Sequence, residues 1–329
     1  MRALTIVRPG GPEVLELREV PDPVIGPEDV LVRVTASALN RADVLQRRGL
    51  YPAPRGVPAD IPGLEFAGEV AARGALVDTL QVGDRVMGIV GGGGHAEKVR
   101  IHERLCLRIP PGMSFEDAAA VPEAFLTAFD ALCLRGGLTP GEAVLLNAAG
   151  SGVGTAATAI ATVAGARVIA SSRSADKRRR LEALGVYRVI DPAVGDVAES
   201  IRLAAGGEGV ALAVDFLGAS SWALNLDVLA VGGRLVLVGT LGGTKVEADL
   251  STLMRKRITV VGTVLRSRPL EEKIQLVQEF AKTILPLLAA GRLQPVVDRV
   301  VPLEDAASAH AAMERNENFG KIVLRLSRA

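Results

Sequence analysis

The segment with the plainest chemical meaning is AAGSGVG, residues 148–154, which follows the apolar run AVLLNA and opens a helix at Val153. Backbone N–H groups at a helix N-terminus attract anions, and a pyrophosphate reaches them only where the side chains are small. Ala149, Gly150, Ser151, Gly152, Val153 and Gly154 meet that demand, although Ala149 and Ser151 stand where a strict G-x-G-x-x-G has its first two glycines. A glycine-rich turn alone is an ordinary strand-to-helix turn; its place at the start of an alternating strand and helix domain favours the nucleotide reading. About twenty residues on, where an NAD-binding fold sets Asp or Glu against the ribose hydroxyls, the strand RVIAS ends in Ser171, Ser172, Arg173 and Ser174, with Lys177 one turn later. Hydroxyls and two cations suit a 2′-phosphate, so NADP(H) is expected over NAD(H). Asp176 and Asp191 oppose that inference, and residues 177–180 also read as a solvated helix face.

Positioning these groups takes a particular architecture. Between residues 122 and 266 the runs AVLLNA, RVIAS, YRVI, ALAVDFL, RLVLVG and ITVVGTVL alternate with helical windows, among them helices from Val153, over 175–184 and around 222–229. That rhythm predicts right-handed βαβ crossovers, an α/β fold with a doubly wound parallel sheet of Rossmann type. Up to about residue 120 the pattern is β-rich, with short apolar runs such as 30–34 and 86–90 between Pro and Gly punctuation. The last sixty or so residues carry a helix over 270–290, broken near Pro286, and short strands ending in GKIVLRL. The expected division is a dinucleotide-binding domain at 122–266 and a second domain formed by 1–121 with 267–329. Tyr187, inside YRVI, is expected to pack in the core.

Composition narrows the functions. The 329 residues suffice for two cores. With 38 Lys and Arg against 37 Asp and Glu, the net charge of +1 gives no field for nucleic acid or an anionic membrane. Two cysteines, Cys106 and Cys133, are too few for a disulfide framework or a four-ligand zinc site, which fits a reducing cytoplasm. The start, MRALTIVRPGGPEV, has Pro and Gly where an export signal needs a long apolar core. Residues 143–166 are uncharged and long enough to span a bilayer, but Asn147, Ser151, four glycines and three threonines make them a strand, a turn and a helix.

Several longer motifs run in order along nearly the whole chain: ALNRADVLQRRGLYPAP, PGLEFAGEV, GDRVMGIVGGGGHAE, AAAVPEAFLTAF, AAGSGVGTAA, LRSRPLEEK and GKIVL. On these the chain resembles the zinc-independent NADPH:quinone oxidoreductases of the medium-chain dehydrogenase/reductase superfamily, nearest to the p53-inducible group. The resemblance implies a β-rich GroES-like catalytic domain beside the Rossmann domain, NADP(H) as cofactor, a quinone as acceptor and a homodimer. It places Tyr51 in the quinone pocket, where a hydroxyl lowers the barrier for an oxygen that gains charge, and Asn40 and Asp43 on the adjoining loop and helix. Asp43 has a second reading as a helix cap or partner of Arg47. Thr127, Leu265, Arg266 and Lys321 match positions near the nicotinamide, and Gly239 and Thr240 lie at the carboxyl edge of the sheet; Thr127 read by itself is a hydroxyl bonded to its own helix.

Zinc relatives carry Gly-His-Glu where this chain has Gly63, Leu64 and Glu65, so no catalytic metal is expected. His95, His102 and His310 are read as isolated packing or surface residues, with His95 also a candidate to line the pocket. Three functions follow: quinone reduction by direct hydride transfer, reduction of the activated C=C of an enone or 2-alkenal, and a non-catalytic NADPH-binding sensor or structural protein. An RNA-binding role lacks the basic, aromatic-interleaved stripe it needs. The run ITVVGTVL is expected at a sheet edge, open to pairing with its copy.

Overall fold

The computed structural model describes residues 1–326, which divide into two compact units, one of Met1–Leu126 with 265–326, the other of Thr127–Val264. The chain begins with an antiparallel pair, β1 (Arg2–Ile6) and β2 (Leu15–Glu19), and continues into the long strand β3 (Asp29–Ala38). Val30, Val32 and Val34 point inward from β3 at period two, as a half-buried strand requires. Helix α1 (Arg41–Arg47) follows, then β4 (Glu65–Arg73), β5 (Arg85–Ile89), β6 (Lys98–His102), β7 (Cys106–Arg108) and the short α2 (Phe115–Ala119). Helix α3 (Pro122–Phe129) carries the chain across the division.

The second unit holds β8 (Ala143–Leu146), α4 (Gly152–Val163), β9 (Arg167–Ser171), α5 (Ala175–Ala183), β10 (Arg188–Ile190), α6 (Val197–Ala204) and β11 (Val210–Asp215). Then come α7 (Trp222–Val228), β12 (Leu229–Leu237), α8 (Leu250–Lys256) and β13 (Thr259–Gly262). Its strands pair in parallel in the order β10-β9-β8-β11-β12-β13. This is the doubly wound order, whose switch point falls between β8 and β11 and puts ligands at the carboxyl ends of the strands. Strand β8 is buried along its whole length, because helices cover both faces of a parallel sheet. Leu145, Ile169, Val210, Ala213 and Leu235 form the middle of that core.

Back in the first unit, α9 (Leu270–Thr283), α10 (Leu285–Ala289), β14 (Val297–Pro302), α11 (Ala306–Glu314) and β15 (Lys321–Arg325) complete a seven-stranded sheet. Its order is β14-β15-β3-β4-β5-β7, with β6 also pairing β3. The expected helix break near Pro286 comes two residues earlier, since Pro286 sits in the first turn of α10, where its missing N–H costs nothing. Helix α11, AASAHAAME, is absent from the sequence reading: alanines carry too little apolar surface to mark a helical period. Tyr187 corrects another expectation, being 58% exposed at the entry to β10 with the Arg167 guanidinium 5.9 Å from its ring. Residues 143–166 form β8, a turn and α4, and among the described residues no helix is long and apolar enough to cross a membrane.

Candidate active site

In the second unit the chemistry gathers at the carboxyl ends of β8 and β9. Ser151 caps α4, its Oγ accepting from the Gly154 N–H at 3.0 Å. The N–H groups of Gly152 and Val153 head the helix with no acceptor in the turn before them among the described residues, the arrangement that holds an anion. Gly154 is required for space: a Cβ there would lie 2.6 Å from both the Ala148 and the Ala149 carbonyl oxygens, so only glycine lets the helix pack on the turn. Thr127 is buried and its Oγ1 has no hydrogen-bond partner among the described residues, so the reading in which it bonds its own helix is not realised. A buried orphan hydroxyl and a cradle of small residues both fit a dinucleotide.

At the end of β9, Ser172, Arg173, Ser174 and Lys177 fall on one loop and the first turn of α5, with Ser174 Oγ accepting from the Lys177 N–H. Both opposing carboxylates are paired. Asp191 takes Arg178 at 2.7 Å, and Asp176 takes Arg179 at 3.1 Å. Arg178, which the sequence reading left on the solvated face, also donates to the Ser172 and Arg173 carbonyls and so braces the loop. Gly239 and Thr240 follow β12, where the Gly239 N–H donates to the Asp215 carbonyl at 3.3 Å. Beneath them Asn147 donates to Asp215 Oδ1 (3.1 Å) and Asn225 Oδ1 (2.9 Å), tying the ends of β8 and β11 together.

The first unit has its own polar centre, built around Glu65 at the start of β4. Glu65 is fully buried, and its Oε1 accepts from Asn40 Nδ2 (2.9 Å) and Lys321 Nζ (2.5 Å), while Oε2 accepts from the Glu123 N–H (2.7 Å). Lys321 Nζ also donates to the Leu39 carbonyl and Asn40 Oδ1, so its three protons are all placed. Lys321, which the resemblance puts near the nicotinamide, neutralises Glu65 and pins the start of β15. Asn40, with both ends of its amide engaged, positions its neighbours. Asp43 behaves as its second reading requires: Oδ2 accepts from the Asn40 N–H and Oδ1 from the Gly63 N–H, which closes a cap on α1. Arg47 is not its partner, pairing with Glu314 at 2.5 Å. Burial works against the Asp43 charge, yet His95, whose Nε2 lies 3.8 Å away, and the Gly63 N–H hold its carboxyl below the usual range.

His95 is itself buried, its Nδ1 2.6 Å from Ser37 Oγ, which donates to the Glu65 carbonyl. Gly63 makes room for it: at φ 103° a Cβ would sit 2.7 Å from His95 Nδ1. His310 is buried with both ring nitrogens unpartnered among the described residues, and burial lowers its pKa to about 3.

Tyr51 is placed otherwise. Its ring lies 5.1 Å from the Arg266 guanidinium, which donates to the Tyr51 and Gly91 carbonyls and to Gln46 Oε1 and is thus fully engaged as a clamp. Leu265 beside it packs in the core. The Tyr51 hydroxyl makes no hydrogen bond among the described residues, and burial, joined by the charge of Glu123 against that of Arg266, raises its pKa. Glu65 and Glu123 escaped the sequence reading as functional residues; the signal was a lone carboxylate in each of the apolar runs GLEFAG and VPEAFL.

A metal does not fit this centre. Leu64 occupies the middle of Gly-Leu-Glu, both Glu65 oxygens are taken, and among the described residues no three His, Cys, Asp or Glu side chains are grouped to hold an ion.

Comparison with known proteins places the chain. A family model described as "Alcohol dehydrogenase GroES-like domain" matches residues 26–111, and one described as "Zinc-binding dehydrogenase" matches 152–282. A quinone oxidoreductase of Pseudomonas aeruginosa is 33% identical over 320 residues, 96% of each protein. The chain belongs to the quinone oxidoreductase family of the medium-chain dehydrogenase/reductase superfamily. Among solved structures of this superfamily, Escherichia coli quinone oxidoreductase complexed with NADPH aligns with a TM-score of 0.89, 28% identity, over 99% of this chain and all of that one. The CurK enoyl reductase aligns with a TM-score of 0.86 and 28% identity over 99% of both. The protein is therefore an oxidoreductase with a dinucleotide-binding unit and a GroES-like unit.

Proposed function

We propose that this chain is an NADPH-dependent quinone reductase that works without a metal. The observation that carries the reading is the Tyr51 hydroxyl: half-buried, beside a clamped guanidinium, and engaged by no group among the described residues. An acceptor oxygen gains charge as hydride arrives, and a donor preorganised for it stabilises that charge. A quinone is electrophilic enough to take hydride with no Lewis acid to polarise it.

The cofactor, when bound, supplies the hydride. The N–H groups at the head of α4 hold its pyrophosphate, the Thr127 hydroxyl meets a polar group of it, and Arg173 and Lys177 with the neighbouring serines hold the 2′-phosphate. That preference gains support from the local charge balance, because Arg178 and Arg179 neutralise the two carboxylates near the loop. Asn40, Asp43, Glu65 and Lys321 fix the strand and helix ends of the first unit without touching the acceptor.

The CurK enoyl reductase favours a second reading, reduction of an activated C=C, since that reaction also puts charge on a carbonyl oxygen. Steady-state oxidation of NADPH with a benzoquinone, a naphthoquinone and an enone separates the two. Turnover of the quinones at least about tenfold above the enone is expected; a faster enone, or quinones that oxidise NADPH no faster than buffer, overturns the assignment. The reading extends to assembly: β13 ends the sheet of the second unit with a free edge, and pairing with its copy in a homodimer covers it. A monomer in light scattering would contradict that.

A further inference from the structure

Glu123 opens α3, and the function above gives it nothing to do. Its N–H donates to Glu65 Oε2, which sets the residue against the buried pair of Glu65 and Lys321. Its own Oε2 is buried with no hydrogen-bond partner among the described residues. An ionised carboxylate with an oxygen so placed, beside a second carboxylate, is costly, whereas the neutral acid is tolerated. The charge of the same carboxyl is felt at Tyr51, Arg266 and Lys273.

We propose that Glu123 is a catalytic acid that donates the proton completing reduction of the acceptor, an inference that rests on the reductase reading above. Reducing a quinone to a hydroquinone takes a hydride, which carries two electrons and one hydrogen nucleus, and one further proton. The O–H bond of Glu123 breaks as a new O–H bond forms on the acceptor oxyanion. Hydroquinone, oxidised cofactor and a Glu123 carboxylate remain, and the carboxylate regains its proton from water. Burial, with the charges of Glu65 and Asp43 against those of Lys321 and Arg266, pushes Glu123 up to about 8. An acid poised there is protonated at neutral pH and still gives its proton readily. Tyr51, raised above its ordinary value, is a hydrogen-bond donor and a poorer source of the proton.

The test pairs the apo-protein with the working enzyme. Infrared or ¹³C-carboxyl NMR titration of the apo-protein should find a carboxylic acid at pH 7 that ionises near 8 and is missing from Glu123→Gln. A Glu123 already ionised at pH 7 overturns the proposal. In turnover, kcat of the wild type should fall as pH rises through about 8. Glu123→Gln should lower kcat at least about a hundredfold, remove that alkaline limb and leave KM for the acceptor within about twofold, with partial rescue by Glu123→Asp. A Gln variant, folded by circular dichroism, that keeps kcat and its pH profile also overturns it. If the wild type reduces no quinone at all, the reductase reading fails, and the titration still decides the state of Glu123.

Discussion

On the proposed reading the Tyr51 hydroxyl is the hydrogen-bond donor offered to the acceptor oxygen, so its removal is a sharp probe. Tyr51→Phe keeps the ring beside Arg266 and loses only the hydroxyl. A fall in kcat of about 10- to 100-fold with an unchanged melting temperature is expected, since losing one donor to a developing oxyanion costs a few kcal/mol. An unaltered kcat would assign the hydroxyl no role. In the other unit, replacing Arg173 and Lys177 together by Ala should raise KM for NADPH at least about tenfold while KM for NADH moves less than about twofold, because only NADPH carries the 2′-phosphate that the proposal gives to these cations. Equal changes for both cofactors would place the phosphate elsewhere. The turn of small residues between β8 and α4 was legible in the sequence, because a steric demand for small side chains at a strand end leaves a local mark. The Glu65 and Lys321 pair was not: its members stand 256 positions apart and meet only once β4 and β15 are in place.

At the scale of elements, α4 and the turn before it carry the cofactor reading. Gly154→Val would drive a side chain into two backbone carbonyls that cannot move aside, at 2.6 Å each. NADPH fluorescence titration of the variant should show affinity weakened at least about tenfold; an unchanged Kd would remove the helix head from the site. Alternation of strands and helices was readable because buried parallel strands are short, unbroken apolar runs. Helix α11 was unreadable for the opposite reason, and ITVVGTVL contributes only four residues, Thr259–Gly262, to the sheet, since an edge strand has one neighbour to hold it.

The molecule as a whole joins near-neutral charge to a few buried titratable groups, and these set its response to acid. His310 is held at about 3, below its ordinary 6.5. Above pH 6.5 both folded and unfolded chains keep it neutral and it adds no pH dependence. As pH falls from 6.5 toward 3 the unfolded chain binds a proton that the folded one refuses, which costs about 1.4 kcal/mol per pH unit. His310→Leu should remove that slope. Between pH 7 and 4.5 the wild type should lose about 2 to 3 kcal/mol relative to the variant in urea unfolding; parallel losses would show that the imidazole is solvated.

The claim on which the account turns is hydride transfer from NADPH to a quinone with no metal involved. The most direct measurement is NADPH oxidation by a quinone with enzyme dialysed against a chelator and shown metal-free by elemental analysis. Turnover equal to that of untreated enzyme is predicted. A rate that vanishes on dialysis and returns with zinc contradicts the account.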